Sequence, residues 1–184
     1  MARMNHADHV ALLKQGVPGP GGTWADLGAG GGAFTLALAE LVGPEAAVIA
    51  VDRDGRALAR LAQAMAARFP AVPLRCVVGD FTRPLDLPPL DGIVMANALH
   101  FVARGGQEAA LRRVRGLLRP GGRLIVVEYN TDRGNLWVPH PLAFAAWQRL
   151  ALRAGFAETA LLATHPSSFL GEFYAGLALR GEAE

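Results

Sequence analysis

The chain has one cysteine, one lysine and little aromatic content, 7% of its residues. A lone thiol, Cys76 in "LRCVV", rules out an intramolecular disulfide framework. It reads as a structural residue of a reducing compartment, not as a nucleophile. No apolar run approaches the ~20 residues of a membrane span. The opening "MARMNHADHV" is too polar for a signal peptide, so a soluble, cytoplasmic protein is expected. Charge is scarce as well. Charged residues make up 18% and the net charge is +2, too small to point to nucleic acid. Of 18 basic residues only Lys14 is lysine, a skew that fits genome composition better than function. His6 and His9 stand at i, i+3 without a nearby third ligand, so no metal site is expected.

What is present is apolar surface to bury. Hydrophobic residues make up 52% of 184, the balance of a globular chain. A domain of this length buries roughly 70% of its unfolded surface and needs no covalent staple. One domain over 1–184 is expected, with a short helix or cap over 1–22 and a core over 23–180. Neither an internal repeat nor a linker interrupts it.

Short apolar runs alternate with helical patterns. Strands are expected at 23–27, 47–51, 74–78, 92–96 and 123–128, all near-continuous apolar runs, as in parallel strands covered on both faces. Between them lie "AFTLALAELV", "GRALARLAQAMAARF" and "GQEAALRRVRGLLR", with apolar residues at helical spacing. Only "DFTRPLDLPPL" joins the third and fourth strands, so that crossover lacks a full helix. A further helix, "PLAFAAWQRLALRA", is expected to carry proline in its first turn and to stop at Gly155. The runs "TALLATH" and "EFYAGLALR" are too close for a crossover and predict an antiparallel hairpin at a sheet edge. The whole reads as a doubly wound, Rossmann-like α/β fold.

"WADLGAGGGAF" (24–34) sets four glycines in five positions behind Asp26. It follows the first strand and opens the first crossover helix, where open α/β sheets bind ligands. "GAGGGA" also fits the dinucleotide fingerprint, with Gly28, Gly30 and Ala33 in its slots. Asp26 argues against a pyrophosphate. Like charges ~6 Å apart at an effective dielectric near 20 cost about 3 kcal/mol. An amino-acid group has the opposite demand: its ammonium wants a carboxylate, and its carboxylate can use amides at a helix start. S-adenosylmethionine joins such a group to adenosine. Asp52, at the end of the second strand, would take ribose hydroxyls. Asp80, at the end of the third, would accept the adenine amine. The alternatives are that Asp26 ties down the loop and that Asp80 caps a turn.

"DLGAGGG", "VDRD", "GDF", "ANALHFV" and "LLRPGGRLIVVEYN" resemble the successive motifs of class I S-adenosylmethionine-dependent methyltransferases. The similarity is greatest to the small-molecule branch that includes ubiquinone and menaquinone biosynthesis enzymes, over about residues 23–180. The resemblance implies a mostly parallel seven-stranded sheet whose last strand is antiparallel. It implies that Asp26 and the loop of Gly28, Ala29, Gly30 and Gly32 hold the methionine portion. Asp52 would hold the ribose, and Asp80 with the backbone of Phe81 would read adenine. Asn97 would face the methionine and sulfonium. Arg53 would lie along the adenine face or extend into solvent.

The methyl of such a cofactor sits on a positive sulfonium, so in-line displacement needs chiefly a positioned nucleophile in a water-poor pocket. No catalytic residue follows from that. The candidates are His100, as a base or as a structural group, and Glu128, Tyr129 and Asn130 at the end of the fifth strand. Trp137, His140 and Phe144 either line an aromatic acceptor site or pack loop and helix, with packing favoured. The arginines of 111–119 read as a solvated face. Few residues precede the first strand, so the pocket is either open or covered by a second subunit in a homodimer. A small-molecule acceptor is expected first. A protein or RNA acceptor, an NAD(P)-dependent oxidoreductase and a non-catalytic binding module are the alternatives. The absence of a Tyr-x-x-x-Lys pair and the sequence "NALH" after the fourth strand count against oxidoreductase and nucleic-acid chemistry.

Overall fold

The computed structural model describes residues 4–182. A short helix α1 (His6–Lys14) precedes strand β1 (Gly22–Leu27), helix α2 (Ala33–Val42) and strand β2 (Ala46–Asp52). Helix α3 (Gly55–Arg68), strand β3 (Leu74–Val78) and strand β4 (Leu90–Ala96) follow. A 3₁₀ turn (Leu99–Phe101) leads into helix α4 (Arg104–Leu117), strand β5 (Leu118–Tyr129) and helix α5 (Phe144–Arg153). The described chain closes with strands β6 (Glu158–Ser167) and β7 (Gly171–Leu179).

The seven strands form one sheet in the order β3-β2-β1-β4-β5-β7-β6. β1 to β5 run parallel, and β7 pairs antiparallel with both β5 and β6. The expected edge hairpin is therefore present, with β7 inside it and β6 at the rim. Chain order reverses where β1 meets β4, the switch point at which an open α/β sheet leaves a crevice beyond its strand ends.

Alternation along the strands feeds two cores. Trp24, Val48, Ala50, Val94, Ile125 and Val127 point to one face, beneath buried residues of α1, α2 and α3. Ala25, Ile49, Val51, Ile93, Met95 and Val126 point to the other, against α4 and α5. Both faces are covered, which is why β1, β2, β4 and the second half of β5 read as unbroken apolar runs. Gly79 to Pro89 carries no helix, and Leu85 and Leu87 pack onto the second core in its place.

Three local expectations are corrected. β3 is not covered on both faces: it is the sheet edge, and Arg75, Cys76 and Val78 are exposed. Cys76 is thus no core thiol, although partial burial still raises its pKa, against a nucleophilic role. Pro141 lies before α5 and outside its first turn. The chain enters that helix under the hold of loop side chains, with Ala143 N–H donating to Asp132 Oδ1 (3.0 Å) and Phe144 N–H to Asn130 Oδ1 (3.0 Å). Gly155 does follow α5 with a left-handed φ of 93°, as a helix stop requires. Pro120-Gly121-Gly122 does not precede the fifth strand but bulges within it. The partner of Leu90 is Leu118 and that of Gly92 is Arg123, so extra residues loop out there.

Candidate functional site

A cavity of about 780 Å³ opens at the carboxyl ends of β1, β2, β3 and β4. That is in the upper part of the range of roughly 300–1,000 Å³ typical of small-molecule sites. Asp26, Gly28, Ala29, Gly30, Gly32, Asp52, Arg53, Asp80, Phe81 and Asn97 all border it. They come from four segments whose closeness depends on the parallel register Asp26↔Ala50, Asp52↔Val78 and Asp26↔Val94.

Asp26 is 1% exposed. Its Oδ2 accepts the Thr35 hydroxyl at 2.6 Å. Burial pushes its pKa up to about 7, only partly countered by that hydrogen bond, and the nearby Asp52 pushes the same way. A buried carboxyl in this state favours whatever cation can reach it. It does not tie down the glycine loop, because that task falls to Asp52. Asp52 Oδ2 accepts the Gly30 N–H at 2.8 Å and its Oδ1 accepts the Asp54 N–H at 2.8 Å. Each of these oxygens keeps a lone pair for a ligand hydroxyl.

Asp80 combines the two roles weighed for it. Its Oδ1 accepts both the N–H (2.8 Å) and the hydroxyl (2.7 Å) of Thr82, closing a turn. Its Oδ2 faces the Arg53 guanidinium at 3.7 Å and borders the cavity. The Thr82 hydroxyl, chiefly, holds the Asp80 carboxyl below its ordinary range. Arg53 is largely exposed, with 74% of its side chain open to solvent.

The loop leaves room by lacking side chains where they would intrude. A Cβ on Gly28 would stand 2.7 Å from the Ala98 Cβ, and one on Gly32 would overlap Leu61. Gly30 and Gly31 have no described heavy atom within 4 Å of a Cβ position, so their backbone lies open to a ligand. Asn97 takes a left-handed φ of 52°, which a non-glycine residue adopts at some cost. Its Oδ1 is buried without a hydrogen-bond partner among the described residues. An orphaned acceptor at the cavity wall is a place for a ligand donor.

The four candidates for contact with the acceptor lie elsewhere. His100 is 2% exposed and Glu128 fully buried, and neither borders the cavity. Glu128 Oε2 meets His100 Nδ1 at 2.6 Å, while Oε1 accepts the N–H groups of Leu99 (2.9 Å) and His100 (3.2 Å). The pair staples down the turn that carries Asn97, Ala98, Phe101 and Val102 to the cavity. Tyr129 is half-buried in an aromatic cluster with Phe173 (4.2 Å) and Phe169 (6.0 Å), also off the cavity. Asn130 bonds Glu172 and caps α5. Trp137 is 72% exposed on its loop, His140 bonds through its backbone to His100, and Phe144 packs on Trp147 and Tyr174.

Sequence reasoning missed the opposite wall. Met4, His9, Phe34, Phe101 and Val102 border the cavity there, and Thr82 borders it beside Asp80. No local motif marks them, since α1 reaches the glycine loop only through tertiary packing on α2. Among the described residues no group of three or more His, Cys, Asp or Glu side chains could hold a metal ion. Nor is any helix there long and apolar enough to cross a membrane.

Residues 25–122 match the family model described as a methyltransferase domain. The chain belongs to that family. The match spans the glycine loop, the ends of β2 and β3 and the turn after β4. Mouse acetylserotonin O-methyltransferase is 32% identical over 179 residues, covering 85% of this chain and 43% of the relative. Demethylmenaquinone methyltransferase of Mycobacterium bovis is 35% identical over 120 residues, 65% of this chain and 46% of its own length. The chain thus spans less than half the length of these curated relatives. The solved 1,6-didemethyltoxoflavin-N1-methyltransferase of Burkholderia thailandensis, with S-adenosylhomocysteine bound, shares the fold. Its TM-score is 0.73 at 22% identity, covering 96% of this chain and 78% of that one.

The methyltransferase domain's cavity suits S-adenosylmethionine on its own geometry. A buried acid that favours a cation, a Gly31 N–H without an acceptor among the described residues and an orphaned Asn97 acceptor fit the charges of an amino-acid group. Free lone pairs on Asp52 and Asp80 meet a ribose and an adenine amine.

Proposed function

We propose that this chain is an S-adenosylmethionine-dependent methyltransferase acting on a small-molecule acceptor. The observation that carries the reading is the fully buried Asp26 carboxyl at the base of a side-chain-free loop. Asp26 takes the ammonium of the methionine portion, and the Gly28–Gly32 loop holds its carboxylate end, with the Gly31 N–H, which has no acceptor among the described residues, as the donor. Asp52 binds the ribose hydroxyls, Asp80 and the Phe81 backbone bind adenine, and Asn97 faces the methionine and sulfonium. Bound there, the cofactor supplies an electrophilic methyl carbon on a neutral leaving group.

The protein's part is then to orient the acceptor in line and keep water out. His100 and Glu128 serve this indirectly by fixing the turn at Leu99–Phe101, and Tyr129 by filling the space beside β7. The relatives named for acetylserotonin, demethylmenaquinone and didemethyltoxoflavin support a small acceptor, as does the cavity's size. One domain over 1–184, with residues 1–22 as its cap, goes with this reading. So does a cytoplasmic location, where the unpaired Cys76 thiol stays reduced. Size-exclusion chromatography reports on the homodimer, one of the two ways of treating the cavity's open side.

Thermal unfolding with candidate ligands tests the assignment. At 100 times its dissociation constant, S-adenosylhomocysteine adds about 2.7 kcal/mol, a rise in Tm of roughly 5–10 °C for a chain of this length. Asp52→Ala removes most of that rise. A rise with NAD and none with S-adenosylhomocysteine overturns the assignment.

A further inference from the structure

The two walls of the cavity differ in chemistry. Among the described residues five ionisable side chains border it: Asp26, Asp52, Arg53, Asp80 and His9. Four stand at or just past the ends of β1, β2 and β3, on the side given above to the cofactor. His9 alone comes from α1. Its ring centroid lies 4.7 Å from that of Phe34 in the first turn of α2. With Met4, Phe101 and Val102 these residues make an apolar wall, and Phe101 at its lip is 59% exposed.

His9 is held in place by its neighbours. On one side His6 Nε2 meets Glu40 Oε2 of α2 at 2.7 Å. On the other Asp8 Oδ1 meets His165 Nε2 of β6 at 3.4 Å. Asn5 and Asp8 close a capping box at the start of α1. The flanking histidines therefore each face a carboxylate, whereas His9 faces an aromatic ring and the cavity. Burial chiefly, with the nearby His6 and His165, lowers the His9 pKa, and Asp8 only partly opposes this. The imidazole is consequently neutral at physiological pH and able to take up a proton.

We propose that the acceptor is an aromatic molecule bearing a hydroxyl group, seated against Met4, Phe34, Phe101 and Val102, with His9 receiving the hydroxyl proton. This rests on the methyl-transfer reading above. Among the described residues the one arginine on the cavity, Arg53, stands on the cofactor side beside Asp80, so this wall offers no fixed positive charge to an acceptor that arrives as an anion. A neutral hydroxyl needs no such partner but is a poor nucleophile until its proton leaves, so it needs a base on this wall. A neutral amine attacks with its own lone pair and sheds its proton afterwards, so it does not. In the step the hydroxyl oxygen gives an electron pair to the methyl carbon. The carbon–sulfur pair returns to sulfur, and the proton passes to an imidazole nitrogen and then to solvent.

The probe is 2-naphthol, with 2-aminonaphthalene as its amine counterpart. In protein saturated with S-adenosylhomocysteine, 2-naphthol is expected to shift the NMR resonances of the His9 imidazole. With S-adenosylmethionine, its methylation should fall at least ~100-fold in both His9→Phe and His9→Gln, while S-adenosylhomocysteine affinity stays within about threefold of wild type. The wild-type rate should rise with pH through the His9 titration, and that limb should vanish in His9→Gln. Unmoved His9 resonances, undiminished transfer to 2-naphthol in the variants, or methylation of the amine but not the hydroxyl would each overturn the proposal. If S-adenosylhomocysteine does not bind wild-type protein, the methyl-transfer reading fails instead.

Discussion

The wall made by the strand ends and the wall made by α1 with the Leu99–Phe101 turn border one cavity but are built differently. On the first, the acids sit at or just past the ends of strands, and those after β2 and β3 bond within two or three residues. Asp80 bonds Thr82, Asp52 bonds Asp54, and Asp54 in turn caps α3. On the second, the Asn5–Asp8 capping box of α1 is local but the anchoring contacts are not. α1 is fixed by Glu40 and His165, and the 3₁₀ turn by Glu128, 28 and 29 residues away. The turns of the first wall thus take their form from chain-local geometry, are set side by side by the parallel register, and suit an invariant ligand. The second depends on long-range contacts, where substitution can alter the acceptor and leave the cofactor site intact.

The sharpest way to break this contrast is at Asp26. Asp26→Asn should weaken S-adenosylhomocysteine binding at least ~100-fold, the cost of leaving one member of a buried charge pair alone. Calorimetric titration checks it, and a fall under tenfold would mean the carboxyl does not meet the ammonium. The same acid should cost the empty protein stability. Its folded pKa of about 7 exceeds the ordinary 3.8. The stability it contributes is therefore full below pH 4 and is lost as pH rises through about 7, on the order of 4 kcal/mol in all. Denaturant melts from pH 4 to 8.5 should show that slope in wild type and lose it in Asp26→Asn. S-adenosylhomocysteine affinity should move the other way, falling up to tenfold per pH unit below about 7.

Glu128→Ala tests the long-range wall. It strands two backbone N–H groups and the His100 ring in the interior, at a cost of about 3 kcal/mol, or roughly 6–12 °C in Tm. An unchanged Tm would mean the buried pair is not what holds the turn. Within the glycine loop, Gly32→Ala combines a φ of 84° with an overlap on Leu61 and should cost about 2–3 kcal/mol. Gly31→Ala meets open space, so its stability should stay within about 0.5 kcal/mol of wild type. Any loss at that position should appear only in ligand affinity. The smallest effect is expected from Arg53→Ala. Its exposed guanidinium near Asp80 contributes well under 1 kcal/mol to folding, read by denaturant melts.

Much of the first wall was legible in the residues. The glycine run after an apolar strand, and acids at the ends of the next two, each announce themselves within a dozen positions. All ten residues expected there border the cavity. His100 and Glu128 were legible as polar groups near strand ends but not as buried partners, because side-chain direction at the end of β5 is set by packing against β7. Cys76 looked interior because its neighbours are apolar, yet β3 is the sheet edge. His9 gave no signal beyond its spacing from His6.

By itself the sequence determined the alternation of strands and helices, the missing crossover helix, the terminal hairpin and the acid-guarded loop. These follow from periodicity and backbone freedom, which act over a few residues. Only the tertiary structure decided which strand became an edge, that His100 and Glu128 turn toward each other, and that α1 completes the cavity. Those outcomes depend on contacts between segments far apart in the chain, whose relative placement emerges only when both faces of the sheet are buried together.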